Sequence, residues 1–246
     1  MKTSRIFLVA TLMLTCCLSA VQAQKLKNFL DNQDSSFTWL GVDFTQARVI
    51  ADAGVDATDV INRHFAGINQ VIVNEPKKYD VPGSLRHKNV TYDISLVNKH
   101  NLTTSSETLK SDNANDFHRL TPEDVAKLVK NFNFDGKKGI GVLLVMDGMS
   151  KSEKSASMYV TIIDMGAKRV LMTERMDGKA QGFGFRNYWA YTVYKVLDNF
   201  DGDYKKIQAK YADAKDPVEE PEQPKKTGKT AVAEGPAAPK KAKKKG

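Results

Sequence analysis

A glycine-rich segment before a predicted helix is the first place where this chain could do chemistry. Gly178, Gly182 and Gly184 lie between a predicted strand and that helix, and glycines there leave backbone N–H groups open to an anion. The spacing matches neither the phosphate-binding loop of nucleotide-binding proteins nor the dinucleotide fingerprint. The glycines either relieve crowding between strand and helix, which the spacing favours, or form an anion- or polymer-binding site with Lys179 and Arg186.

Two further patterns bear on metal binding. Asp198, Asp201 and Asp203 follow the start of a calcium-loop spacing, but Ala209 stands where that loop needs a bidentate glutamate. His64 falls beside the apolar stripe of a predicted helix, with no second histidine or cysteine at ligand spacing. The sequence therefore predicts no metal ligand.

Pairs of acidic residues keep one enzymatic alternative open. Asp43 with Asp52 or Asp56, and Asp164 with Asp177, could share general acid–base chemistry if folding brought them together. Carboxylates of this kind are usually solvated or cap helices, and no Ser/His/Asp set can be assigned from spacing. We therefore predict no catalytic residue and no cofactor, and a periplasmic hydrolase that uses surface carboxylates is the alternative.

Residues 1–23 have the pattern of a secretory signal peptide. Lys2 and Arg5 precede the apolar run 6–14, and small residues follow up to Ala23. The run is shorter than the roughly 18 residues that a membrane span needs, and no other stretch of the chain is long enough either. A lipoprotein leader ending at Leu14-Thr15-Cys16-Cys17 is the alternative. We expect a bacterial protein that is exported to the periplasm or secreted, and cleavage after Ala23 would remove both cysteines.

Residues 213–246 are predicted to form a disordered tail. From residue 215 onward the chain has nine Lys, five acidic residues, five Pro and no aromatic residue, too little apolar area to offset the entropy of ordering. The tail ends in clustered lysines, which favour contact with a polyanion such as anionic lipid headgroups or cell-wall polymer: Lys240, Lys241, Lys243, Lys244 and Lys245. The alternative is a tail that binds nothing specific and only keeps the protein soluble.

The stretch from residue 35 to 212, after a lead-in at 24–34, is predicted to be one domain. Without the leader and residues 215–246, 26 basic and 24 acidic residues remain, so a nucleic-acid-binding surface is not expected. A first strand is predicted at 36–44 and a short helix at 46–53, capped by Thr45. A longer helix with an apolar stripe follows from Asp56 or Thr58 to Pro76.

The second half of the domain predicts most of the sheet. A strand at 90–97 precedes a polar loop at 98–115, and Thr121 caps a short helix. The apolar run 139–146 predicts a central strand, and two more strands at 158–165 and 168–176 complete a β-meander before a final helix. The predicted fold class is α/β (α+β), a single domain whose mixed sheet contains a C-terminal β-meander and is flanked by helices.

The hairpin pattern Tyr159-x-Thr161-x-Ile163-Asp164-x-Gly166, together with this order of elements, resembles a superfamily of exported bacterial assembly factors. It includes the curli-secretion lipoprotein and the outer-membrane activators of peptidoglycan synthases. The resemblance implies a small α/β domain that binds protein at the cell envelope, without enzymatic activity or cofactor. The chain departs from the pattern in lacking a convincing lipid-attachment cysteine and in having Met172-Thr173-Glu174 where a Trp-Ser ending is usual, so no binding residue carries over.

Taken together, these patterns predict an exported, non-enzymatic envelope protein. Its folded part would be a protein- or polymer-binding assembly module, and its partner an envelope protein or an anionic envelope polymer. The basic tail would add weak anchoring or membrane-surface contact. A protein that binds polyanions through its lysine-rich tail alone is a further alternative.

Overall fold

A seven-stranded mixed sheet organises the part of the chain that the computed structural model describes, which is residues 25–214 and residue 216. The predicted signal peptide and almost all of the predicted tail lie outside these residues. In chain order the strands are β1 Phe37–Asp43, β2 Arg48–Ile50, β3 Val90–Tyr92, β4 Lys110–Ser111, β5 Ile140–Ser150, β6 Ser155–Asp164 and β7 Arg169–Lys179.

Strand β5 lies at the centre of the sheet, as its continuous apolar sequence predicts. On one side it pairs in parallel with β1 and, further along, with β2; β3 and β4 extend the sheet in parallel from β1 and β2. On its other side β5 pairs antiparallel with β6, which pairs with β7. The sheet is thus mostly parallel with a C-terminal meander, and the predicted fold class is confirmed.

On one side of β5, the neighbouring strand changes from β1 to β2, and the pairing is interrupted between them. Asp43 at the end of β1 pairs with Val145, and Arg48 at the start of β2 pairs with Gly148. The four residues 44–47 leave the sheet between these two pairings. They create a gap beside β5 at the carboxyl end of β1.

The short helix predicted at 46–53 is wrong, because this stretch contains β2. Val49 and Ile50 are each only 1% exposed, and they pair with β5 on one side and with β4 on the other. These partners lie 60 to 100 residues further along the chain. Long-range pairing therefore overrides the local pattern, as it commonly does for short apolar segments.

Helices cover the sheet on both faces. They are α1 Lys25–Asp31, α2 Ala57–Asp59, α3 Phe65–Asn74, α4 Val81–Ser84, α5 Ser95–Asn101, α6 Ser106–Leu109, α7 Pro122–Asn131 and α8 Gly184–Lys210, with a π-helical turn Val60–His64 that joins α2 to α3 and a 3₁₀ turn Ala114–His118. The long helix predicted from Asp56 onward is confirmed as α2, the π turn and α3. The strand predicted at 90–97 ends at Tyr92, because the Asp93 carboxylate accepts hydrogen bonds from the backbone N–H and hydroxyl of Ser95 and starts α5.

Alternate residues of β5 enter two different cores. Val142 and Leu144 pack with Trp189 of α8 and with apolar residues of α1 and α3 on one face. Leu143 and Val145 pack on the other face, against apolar residues of α5 and α7. Because both faces are covered, the strand can be apolar from Ile140 to Met146. Among the described residues, no helix combines the length and apolar character needed to cross a membrane.

Candidate functional site

The gap between β1 and β2 opens into a polar cavity of about 570 Å³. Its walls come from the β1–β2 connection, from α5 and α6, and from the chain between Arg119 and the end of α7. Of the described residues that line it, only Leu120 and Leu128 are apolar. The volume lies in the range of small-molecule sites, and the carboxyl end of a parallel strand is a common place for one.

Two arginines of this cavity converge on one backbone oxygen. The carbonyl of Gln46 accepts a hydrogen bond of 2.6 Å from Nη2 of Arg119 and one of 3.4 Å from Nη1 of Arg48. Arg48 also donates to the carbonyl of Ala47 at 3.0 Å. The two guanidinium groups, which repel each other, are therefore held together by the connection between β1 and β2.

Within residues 25–214 and 216, neither arginine forms an ion pair with a carboxylate. Burial lowers the pKa of Arg48, and the charge of Arg119 lowers it further; Asp116 and Asp147 act on it only through space. The Nε atom of Arg119 is buried and has no hydrogen-bond partner in this part of the chain. The cavity thus has positive charge that no described carboxylate contacts directly, and a buried donor without a described partner.

A histidine backed by a buried carboxylate forms another part of the wall. Nδ1 of His100 lies 2.6 Å from Oδ2 of Asp43, whose side chain has no exposed surface. The other carboxylate oxygen accepts hydrogen bonds from the backbone N–H and hydroxyl of Thr45, at 2.8 and 2.6 Å. The hydrogen bond that Nδ1 of His100 donates to the Asp43 carboxylate raises the pKa of His100. With Nδ1 engaged, Nε2 is the nitrogen that His100 can offer to a ligand.

Helix α7 contributes a lysine and, among the described residues, the one acidic side chain of the lining. Thr121 and Asp124 form a capping box at its start, each side chain bonding the other's backbone N–H. The Asp124 carboxylate also lies 3.4 Å from Nζ of Lys127, so its charge is already shared. The balance of charge in the cavity is therefore positive.

A buried ion pair behind the cavity positions Arg119 and Leu120. Asp147 has no exposed surface, and its Oδ2 accepts hydrogen bonds from Nη1 of Arg175 at 2.8 Å and from the backbone N–H of Leu120 at 3.0 Å. Arg175 also donates to the carbonyl of Leu120 and to the Tyr159 hydroxyl. Burial raises the pKa of Asp147, and Arg175 opposes that rise.

The structure does not bring the predicted site residues Lys179 and Arg186 together in one cavity. Lys179 is the last residue of β7. Arg186 lies in the first turn of α8, donates to Oδ1 of Asn187, and lines an open groove of about 370 Å³ that also contains His64. The predicted tail residues Lys240, Lys241, Lys243, Lys244 and Lys245 fall outside the described residues.

Four of the five carboxylates considered for a hydrolase each have a basic partner, and the fifth, Asp56, accepts a hydrogen bond from the backbone N–H of Asp59 at the start of α2. Asp43 pairs with His100, and the other pairs are Asp52 with Lys151, Asp164 with Lys25, and Asp177 with His118. Asp198, Asp201 and Asp203 all lie within the continuous helix α8 rather than in a calcium loop. In the described part of the chain, no group of three or more metal-ligating side chains is placed to hold a metal ion.

Arg48, His100 and Arg119 could not be identified from the sequence as site residues. Only one local signal lies near them, the helix-start pattern that begins at Thr121, two residues after Arg119. Comparison with known proteins gives no further guidance, because no protein-family model and no curated protein matches this chain.

Proposed function

We propose that this protein is an exported, non-enzymatic binding module of a bacterial cell envelope. In this proposal the folded domain binds an envelope component by holding one of its anionic groups between Arg48 and Arg119. The observation that carries the proposal is the convergence of both guanidinium groups on the Gln46 carbonyl without a carboxylate partner among the described residues.

An oxyanion suits this arrangement for a physical reason. Two guanidinium groups held close together repel each other, and a phosphate or carboxylate between them would replace that repulsion with charge-assisted hydrogen bonds. Arg48 and Arg119 are both partly buried, so these interactions would be screened less than at an open surface. Nε2 of protonated His100 would donate a further hydrogen bond to the anion.

The rest of the chain supports an envelope location. Lys2 and Arg5 before an apolar run are typical of an exported protein, and the lysines at 240–245 would attract the anionic polymers and lipids that an envelope contains. The partner would then be an envelope protein or polymer that carries phosphate or carboxylate groups. We expect the tail to steer this partner and the cavity to provide the specific contact.

Calorimetric titration of the mature chain from Gln24 with inorganic phosphate and with acetate tests the binding proposal. Losing one hydrogen bond to a charged group costs about 1.5–3 kcal/mol, so Arg119→Gln should weaken binding roughly tenfold or more. Arg63→Gln is the matched control, because Arg63 is exposed, pairs with Asp59 and lies outside this cavity. Equal affinity in the wild type and in Arg119→Gln would remove the proposal.

Export has its own test. A bacterial cell that expresses the full chain should place the protein outside the cytoplasm, with a mature N-terminus at Gln24 on sequencing. Cytoplasmic protein that still begins at Met1 would contradict it. A mature N-terminus at Cys16 or Cys17, carrying lipid, would support the lipoprotein alternative.

A hydrolase is the second candidate, and the observation that favours it is the His100–Asp43 pair. A buried carboxylate on Nδ1 is the arrangement that orients a histidine base. No hydroxyl in the described residues is hydrogen-bonded to Nε2, so such an enzyme would activate water instead of a side chain. Incubation with p-nitrophenyl phosphate and p-nitrophenyl acetate distinguishes the two functions: an enzyme would release p-nitrophenol from one of these esters, and His100→Gln would stop that release while binding of phosphate or acetate persisted.

A further inference from the structure

The cavity contains more hydrogen-bonding capacity than an isolated anion would use. Four uncharged polar side chains on its wall, from three different parts of the fold, make no hydrogen bond within the described residues: Gln46, Ser105, Thr108 and Asn131. Two more hydroxyl groups face the same space, although Thr45 already donates to Asp43 and Thr103 to the carbonyl of His100. The polar wall therefore continues well beyond the arginines.

The volume of the cavity also exceeds what a simple oxyanion fills. A water molecule takes up about 30 Å³ of liquid and a phosphate ion not many times that, whereas the cavity measures about 570 Å³. Its ligand should thus have a body attached to the anionic group. Because Leu120 and Leu128 alone are apolar among the described lining residues, that body should be polar rather than an acyl chain.

The side chains that line the cavity also indicate which class of polar ligand fits it. Among the described residues, no aromatic side chain other than the imidazole of His100 faces the cavity, and that ring is engaged by Asp43 and packs edge-on against Phe132. A nucleobase would therefore find no stacking platform. Hydroxyl and amide side chains at several points suit a ligand with many hydroxyl groups.

We infer that the ligand of this cavity is an anionic saccharide, a sugar unit that carries a phosphate or a carboxylate. Its oxyanion lies between Arg48 and Arg119, and its hydroxyl groups bind the amides and hydroxyls of Gln46, Ser105, Thr108 and Asn131. This inference rests on the proposed function, because it needs the anion to bind at the arginines. It adds the chemical class of the group that the anion belongs to.

The experiment is a set of calorimetric titrations of the mature chain with five probes: inorganic phosphate, acetate, glucose 6-phosphate, glucuronate and glucose. Glucose 6-phosphate should bind at least tenfold more tightly than phosphate if the natural anion is a phosphate. Glucuronate should bind at least tenfold more tightly than acetate if the natural anion is a carboxylate. Glucose alone should bind more weakly than either anionic sugar.

A variant with Ser105→Ala, Thr108→Val and Asn131→Ala tests the assignment of residues. All three side chains are exposed, so the fold should tolerate the changes, and circular dichroism checks that it does. The variant should lose the advantage of the sugar over the simple anion and keep its affinity for phosphate. Ser106→Ala is the matched control, since Ser106 is exposed beside Ser105 and does not line the cavity.

The outcomes separate the two proposals. If phosphate or acetate binds and neither sugar binds more tightly, the saccharide inference is overturned and the anion-binding function stands. If the sugar advantage survives in the triple variant, the inference is also overturned. If no anionic probe binds at all, the proposed function fails, and the inference fails with it.

Discussion

Nδ1 of His100 in α5 lies 2.6 Å from Oδ2 of Asp43, the last residue of β1. A neighbouring contact strengthens this link, because the Asn101 side chain accepts from the backbone N–H of Phe44 and donates to the carbonyl of Val42. Helix α5 is thereby fixed to the strand end at the place where β1 leaves the sheet. His100, whose protonation adds one positive charge to the cavity wall, is therefore held at a fixed position.

The first prediction concerns this pair. Asp43→Asn should lower the pKa of His100, because it replaces the carboxylate hydrogen bond that raises it. The raised pKa means that protonated His100 stabilises the fold fully below the unfolded value of about 6.5, and that this stabilisation is lost as pH rises through the folded pKa. Anion affinity should fall over the same pH interval. NMR titration of the His100 ring measures the pKa directly, and an unchanged value in Asp43→Asn would contradict the prediction.

The second prediction concerns the buried pair behind the cavity. Arg175→Met should reduce the free energy of unfolding by about 3–5 kcal/mol, because it leaves the Asp147 carboxylate buried without its cation. The double variant Asp147→Leu with Arg175→Met should be less destabilised than the single one. Urea denaturation of both proteins gives the comparison, and a single variant as stable as wild type would show that the pair is unimportant.

A lower pH should increase the contribution of Asp147 to the stability of the fold. Burial raises the pKa of Asp147 above its ordinary value of 3.8, so the folded protein takes up this proton more readily than the unfolded chain. The contribution of Asp147 to stability therefore improves as pH falls through the raised pKa toward the ordinary value. Asp147→Asn should abolish that part of the pH dependence.

The third prediction compares two glycines. A Cβ at Gly178 in β7 would lie 2.1 Å from the carbonyl oxygen of Thr192 in α8, so Gly178→Ala should force strand and helix apart and cost about 1–3 kcal/mol or more. At Gly202 in the same helix, a Cβ would have no described atom within 4 Å, and Gly202→Ala should stabilise the protein by up to about 1 kcal/mol. Thermal unfolding of the two variants checks both signs, and a neutral Gly178→Ala would show that the contact can relax.

Strands β5, β6 and β7 could be predicted from sequence because their signals are local. The apolar run and the alternation that follows it are visible within about ten residues, although the structure extends β5 to Ser150 and β7 to Lys179. The cap at Thr121 was predictable for the same reason. By contrast, β2 has only three residues, and its conformation depends on partners far along the chain.

The candidate site could not be predicted for a related reason. Arg48, His100 and Arg119 come from a strand, a helix and the segment before another helix, and no motif spaces them along the chain. An arginine on its own is usually a surface residue. Only the gap between β1 and β2 brings these three side chains to one cavity.

The fourth prediction concerns the tail. The Asp216 carboxylate accepts hydrogen bonds from the backbone N–H groups of Lys25 and Leu26 at the start of α1, at 2.6 and 3.2 Å. A chain truncated after Asp216 should therefore keep its stability and lose salt-sensitive binding to a polyanion such as heparin. A chain truncated after Ala214 should lose the same binding and also about 0.5–2 kcal/mol of stability, because α1 loses that cap.

Affinity chromatography on heparin at rising salt, combined with thermal unfolding, checks both truncations. Retention that does not change with salt, or that survives the loss of the clustered lysines, would refute a role of the tail in polyanion binding. Equal stability of the two truncated chains would show that Asp216 does not cap α1 in solution.

At the interruption between β1 and β2, the residues that hold the sheet together differ from the residue that faces the ligand. Residues 44–47 make no ladder pairing with β5, but Phe44 and Ala47 are fully buried in the core and Thr45 donates to Asp43, so Gln46 is the exposed side chain of this connection. A change at Gln46 would alter the recognition surface while β5 keeps its neighbours. The same scaffold could in this way acquire a different ligand through a substitution at Gln46 that leaves the core unchanged.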